Sequence, residues 1–156
     1  MKVAEVASAP AFVAHPEQPL VAAARQMRSH QVGALVVVDA HASQQRPVGI
    51  ITDRDVVCGQ FARSKDLYCL TVGDVMTRNP LTILADSELS EAIQTMSAAA
   101  VRRFPVVDAS GQLVGIITLD DLLPIVAQQL SELAGIARTQ IMSWSIKPSE
   151  SLSDYS

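Results

Sequence analysis

Apolar positions along this chain change period in a fixed order, and the order occurs twice. In the first half, Leu20, Ala23 and Met27 recur at three- and four-residue spacing and predict a helix from about Leu20 to Ser29. A short extended piece at Val13 precedes it. The continuous apolar runs Ala34 to Val38 and Val48 to Thr52 read as strands, and a helix from about Asp53 to Gln60 follows. Residues Ala62 to Leu70 read as a linker. In the second half, an extended piece at Leu81 to Leu84 leads to a helix from about Glu88 to Ala99, carried by Leu89, Ile93, Met96 and Ala100. Phe104 to Val107 and Leu113 to Thr118 flank Asp108-Ala109-Ser110-Gly111, a hairpin signal, and another helix begins near Leu119.

A shift of the chain on itself by 69 residues pairs Val3 with Val72, Leu20 with Leu89, Met27 with Met96 and Asp39 with Asp108. Beyond that point the shift is 66, pairing Gly49-Ile50-Ile51-Thr52 with Gly115-Ile116-Ile117-Thr118, and Asp55 with Asp121. The difference lies in the polar link His41 to Pro47, where a surface loop tolerates three extra residues. The chain is a tandem duplication: repeat one over residues 1–61, linker 62–70, repeat two 71–135, and a helix end with a polar tail over 136–156. Each repeat is too small to bury its own sheet and helices, so the two are expected to pack as one α/β (α+β) unit. After Asp121, Leu122, Leu123, Ile125, Val126, Leu130, Leu133 and Ile136 extend the last helix beyond its counterpart and give it an apolar face that needs a cover; Pro124 falls early enough to be tolerated. From Lys147 onward the composition reads as disordered, and Trp144 packs either on a partner chain or on its own body.

Composition narrows the chemistry. With 156 residues, 49% of them apolar, the chain can build a sizeable core. A net charge of −4 with scattered Lys and Arg supplies no basic stripe for a phosphate backbone, so nucleic acid is not an expected partner. No apolar run reaches the roughly 18 residues needed to span a bilayer, and the first 30 residues lack a signal-peptide block, so a cytoplasmic protein with no membrane partner is expected. Cys58 and Cys69 read as ordinary thiols, and His15, His30 and His41 share no metal spacing, so no metal is expected. No nucleophile elbow or phosphate loop is present, and an enzyme is not expected.

The repeated Thr-x-x-Asp stands where a strand hands over to a helix. It has a purely structural reading, in which Thr caps the helix and Asp favours the positive end of its dipole. Its functional reading uses the same helix N-terminus for a phosphate and the Asp for a ribose diol.

Two repeats ending in Gly-Ile-Ile-Thr-x-x-Asp, with Val72-Gly73-Asp74-Val75-Met76-Thr77-Arg78-Asn79-Pro80 opening the second and Arg103-Phe104-Pro105-Val106-Val107-Asp108 in its middle, resemble a cystathionine-β-synthase (CBS) domain pair, or Bateman module, over roughly residues 1–135. The opening of repeat one, Val3 to Pro10, departs from the Val-x-Asp-Val-Met-Thr pattern at its Met and Thr. The resemblance implies two β-α-β-β-α repeats packed through their sheets with pseudo-two-fold symmetry. It also implies a regulatory module that binds an adenosine-containing ligand (AMP, ADP or ATP ahead of S-adenosylmethionine or NAD) in the cleft between repeats. Carried over by position, one site combines Thr52 and Asp55 with Thr77, Asn79, Pro80, Val101, Arg102, Arg103 and Phe104. The other combines Thr118 and Asp121 with Ser8, Pro10, Val32, Gly33 and Ala34. Arg102 and Arg103 supply forked cations for phosphate, so the Asp55 site is the expected better one; Gly33 and Ala34 supply none to the other, and Arg54 can bridge toward either ligand. The resemblance further implies a homodimer that passes a shape change to an unknown downstream protein. The competing reading is a structural dimerisation or adaptor module with empty clefts, acting through a protein partner.

Overall fold

The computed structural model describes residues 1–145; the stretch from Lys147 onward, read above as disordered, lies outside the described residues. Residues 1–121 form one compact unit. After a single 3-10 turn at Val3–Glu5, its elements are β1 (Val13–Ala14), α1 (Leu20–His30), β2 (Ala34–Val38), β3 (Pro47–Thr52), α2 (Asp53–Arg63), the short α3 (Val72–Val75), β4 (Thr77–Arg78), β5 (Ile83–Leu84), α4 (Leu89–Ala99), β6 (Arg103–Val107), β7 (Leu113–Thr118) and the start of α5 (Leu119–Ser145).

The duplication is visible in the register. β2 pairs antiparallel with β3, Ala34 opposite Thr52, and β6 pairs antiparallel with β7, Arg103 opposite Thr118. β1 lies parallel to β2 and β5 parallel to β6, each reached by a crossover helix. Helices α1 and α4 end alike, at Gln31 and Ala100, both with left-handed backbones near φ +55° and +53° that turn the chain toward the next strand. Two details differ from the sequence pattern. Helix α2 runs on to Arg63, into the expected linker, because its apolar pattern gives no stop before the left-handed Ser64 caps it. Helix α3 and β4 occupy a stretch with no expected element.

The repeats exchange their opening segments. β4, from the opening of repeat two, pairs with β3 of repeat one, Thr77 opposite Ile50. Reciprocally, Ser8 from the opening of repeat one pairs with Ile116 on β7 through bonds of 2.9 and 3.0 Å. Glycine in both Gly-Ile-Ile-Thr motifs follows from this crossing. A methyl on Gly115 would lie 2.7 Å from the Ser8 carbonyl oxygen, and one on Gly49 would lie 2.6 Å from Met76 Sδ and 3.0 Å from the Thr77 carbonyl oxygen. At Gly115 only a residue without Cβ leaves room for the crossing backbone, whereas at Gly49 a methyl would mainly require the end of Met76 to move.

Val36 and Val38 on β2 pack against Leu113 on β7, with Val13 and Ile116 beside them, so the two sheets share a core. On the other face of repeat one, Leu20, Ala23 and Met27 of α1 meet Leu35, Val37 and Ile51, with Leu70 and Val72 from the segment entering repeat two. No polar side chain is buried among the described residues.

From Leu122 the last helix is a unit of its own. Leu123, Val126, Leu130, Leu133, Ile136, Ile141 and Trp144 are exposed along it, Trp144 at 82%. Leu123, Val126, Leu130, Leu133, Ala137, Gln140 and Trp144 recur at strict three- and four-residue intervals, a stripe roughly 100° wide. Pro124, its sixth residue, cannot donate to the carbonyl of Asp120. No described helix is long and apolar enough to cross a membrane.

Candidate functional site

Both Thr-x-x-Asp motifs form reciprocal caps. The Asp55 amide donates to Thr52 Oγ1 at 3.1 Å, and the Thr52 amide donates to Asp55 Oδ2 at 2.9 Å. In repeat two the corresponding distances are 3.3 and 2.7 Å, and the Thr118 hydroxyl also donates to Asp121 Oδ2 at 2.8 Å. The structural reading of the motif therefore holds at both positions, and it leaves the functional one open, because the bonds engage only Oδ2 of each carboxylate.

The first turn of each capped helix is held against the start of a strand. The Asp53 amide donates to the Gly33 carbonyl at 3.1 Å, and the Leu119 amide donates to the Arg102 carbonyl at 2.8 Å. Gly33 and Arg102 are thus equivalent by geometry as well as by sequence shift.

These features border a cavity of about 450 Å³, within the range that holds a small molecule. All seven residues of the Asp121 combination line it: Ser8 and Pro10 from the opening segment, Val32, Gly33 and Ala34 at the start of β2, and Thr118 and Asp121. The Ser8–Ile116 pairing and the β2–β3 register bring these distant segments together.

Arg102 and Arg103 also line this cavity, which corrects the expectation that the Asp121 side has no cation. The physical reason is the absence of side chain on the facing strand. A methyl on Gly33 would lie 3.8 Å from Arg103 Nη1 and 3.5 Å from Asp53 Oδ2, so the guanidinium lies over the bare Cα of Gly33. Arg102 Nη2 stands 4.0 Å from Asp120 Oδ1, with side chains 70% and 82% exposed.

Of the Asp55 combination, Thr52 and Asp55 are half-buried. Thr77 and Asn79 lie further along β3 from them: Thr77 is opposite Ile50, and the Asn79 amide donates to the Val48 carbonyl at 3.1 Å. Pro80 and Val101 are half-buried, and Arg54 is exposed and outside the cavity lining. Phe104 is wholly buried, so its ring is core rather than cleft wall.

Sequence reasoning missed Ala11, Phe12, Asp53, Ile116, Leu119 and Asp120, which also line the cavity. Phe12 is stacked on His30, ring centroids 4.0 Å apart and planes 13° from parallel. A comparison of the repeats position by position carries a signal for the acids: Asp53 stands where repeat two has Leu119, and Asp120 where repeat one has Arg54. No group of three or more His, Cys, Asp or Glu that could hold a metal ion occurs among the described residues.

Comparison with known proteins gives the same picture of the fold. The family model for the CBS domain matches residues 3–58 and again 72–128. An uncharacterised protein of Methanopyrus kandleri is 34% identical over 125 residues, 80% of this chain and 62% of the relative, so the chain spans under two thirds of that relative's length. Among solved structures, a CBS domain pair in complex with 5′-methylthioadenosine and S-adenosyl-L-methionine is 30% identical, with TM-score 0.70 over 81% of this chain and 99% of that one. CBSX2 in complex with AMP is 28% identical, with TM-score 0.68 over 81% of this chain and 96% of that one. Two matches of one model, on the two halves that share a register, make this chain a tandem pair belonging to the CBS domain family.

Proposed function

We propose that the chain is a regulatory sensor of adenine nucleotides (AMP, ADP or ATP), that it binds its ligand in the cavity bordered by Thr118 and Asp121, and that it does no chemistry on it. The observation that carries the reading is the convergence of a capped helix N-terminus, a ribose-competent carboxylate and two guanidiniums on one cavity. Asp121 accepts from the ribose hydroxyls, the α5 amides and Arg102 with Arg103 take phosphate, and the apolar wall of Pro10, Phe12, Val32 and Ala34 takes the base. Similar proteins whose structures contain AMP or S-adenosylmethionine support an adenosine-containing ligand. The Thr52–Asp55 side keeps its backbone frame as a second, weaker candidate.

The signal leaves through a homodimer, in this reading, to a downstream protein in the cytoplasm. The exposed stripe on α5 supports self-association, because a strict three–four spacing matches an identical helix and none of its seven positions is charged. A ligand can work such a switch only if it favours one packing over another.

A thermal-shift panel against AMP, ADP, ATP, NAD and S-adenosylmethionine tests the function. A ligand at 100 times its dissociation constant stabilises the native state by about 2.7 kcal/mol. The expected result is a rise with an adenine nucleotide that Asp121→Ala abolishes and Asp55→Ala largely keeps. A rise lost only in Asp55→Ala returns the site to the other cleft. No rise with any ligand, in folded protein, leaves a dimerisation or adaptor module.

A further inference from the structure

The charged groups lining the cavity do not sum to a phosphate trap. Arg102 and Arg103 face Asp53, Asp120 and Asp121, two guanidiniums against three carboxylates, so the lining carries one excess negative charge. The acids beyond Asp121 stand close to the cations: Asp120 Oδ1 lies 4.0 Å from Arg102 Nη2, and Asp53 Oδ2 and Arg103 Nη1 lie within 3.5 and 3.8 Å of one point above Gly33. Any phosphate that reaches a guanidinium therefore also approaches a carboxylate.

From this arrangement we infer that Asp53 and Asp120 set the cavity's ligand selectivity, admitting adenosine ligands with one phosphate or none and rejecting the triphosphate. The inference rests on the nucleotide reading above and narrows it to a ligand class. A monophosphate brings about two negative charges, which the two arginines can match. Each added phosphoryl group brings further charge with no cation left to meet it, and two carboxylates repel it at close range. The carboxylates do this although the Arg102–Asp120 pair is too exposed to stabilise the fold, because repulsion of a wrong ligand needs only proximity. At the equivalent positions of the other repeat stand Leu119 and Arg54, so each acid faces the cavity from one repeat only.

The test is calorimetric titration of the full chain with adenosine, AMP and ATP, without divalent cations, on the native protein and on Asp53→Asn/Asp120→Asn. The native protein is expected to bind AMP at least about tenfold more tightly than ATP, and the double variant to close that gap to about threefold, with ATP gaining most. Asp120→Asn alone, at an exposed position, is expected to close part of it and guards against misfolding of the double variant. Equal affinity of the native protein for AMP and ATP, or an unchanged gap in folded variants, overturns the inference while leaving the nucleotide site standing. Binding of none of the three removes the nucleotide reading, and the selectivity with it.

Discussion

The two repeats have the same strand register, the same left-handed turn after their first helix and the same reciprocal Thr–Asp cap, yet they differ at the cavity and in the length of their last helix. At the start of the middle strand, Gly33-Ala34 in one stands against Arg102-Arg103 in the other. Helix α2 stops at Arg63, whereas α5 runs to Ser145. Core and backbone constraints hold the shared features, because a change there costs the whole sheet. Positions on the cavity and on the outer helix face are free to diverge, and their divergence makes a symmetric scaffold asymmetric in its side chains.

The comparison can be strained hardest at the crossing glycines. Gly115→Ala is expected to destabilise the fold by about 2–3 kcal/mol, since its methyl meets the Ser8 backbone. Gly49→Ala should cost about 1 kcal/mol, because its nearest obstacle is the flexible end of Met76. Urea denaturation of both variants measures the difference, and equal costs would mean that the two crossings are equally rigid.

Next in size is the contrast between α2 and α5. Leu130→Asp puts a charge in the middle of the exposed stripe and is expected to halve the mass measured by sedimentation while the melting of residues 1–121 changes little. An unchanged mass would detach the stripe from self-association.

The smallest effect separates the two hairpins. In repeat two, Asp108 Oδ1 accepts from the Ser110 hydroxyl at 2.6 Å, the Ser110 amide at 2.8 Å and the Gln112 amide at 3.0 Å. The Ser110 hydroxyl first, then the Gln112 amide, hold this carboxyl below its usual value of 3.8. A group with a lowered folded pKa contributes stability above its unfolded value and loses it as pH falls through the folded one. A slight loss of stability is therefore expected as pH drops below about 3.8, reduced by Asp108→Asn and untouched by Asp39→Asn. Melting curves between neutral pH and pH 3 measure it; identical curves for native protein and Asp108→Asn would show that the turn is held by its backbone alone.

Much of the fold was legible because it depends on local and periodic information. The Leu20, Ala23 and Met27 spacing fixes α1, the Gly-Ile-Ile-Thr runs fix β3 and β7, and the shift that aligns them reveals the duplication. The seven residues from Ser8 to Asp121 that line the cavity were also legible, though only through the family pattern, since nothing in their spacing brings Ser8 to Thr118. The β4 pairing was illegible because two residues carry no periodicity.

By itself, then, the sequence determined the elements, their repetition and the two capped helix starts, since these follow from spacing and from side chains bonding to their own turn. Tertiary structure alone decided which cleft holds the arginines. A guanidinium reaches as far as the facing strand permits, and the absence of a side chain at Gly33, 70 residues earlier than Arg103, left the space that Arg103 takes. It also decided the charge balance, because Asp53 and Asp120 stand in different repeats and face one cavity only once the sheets have packed.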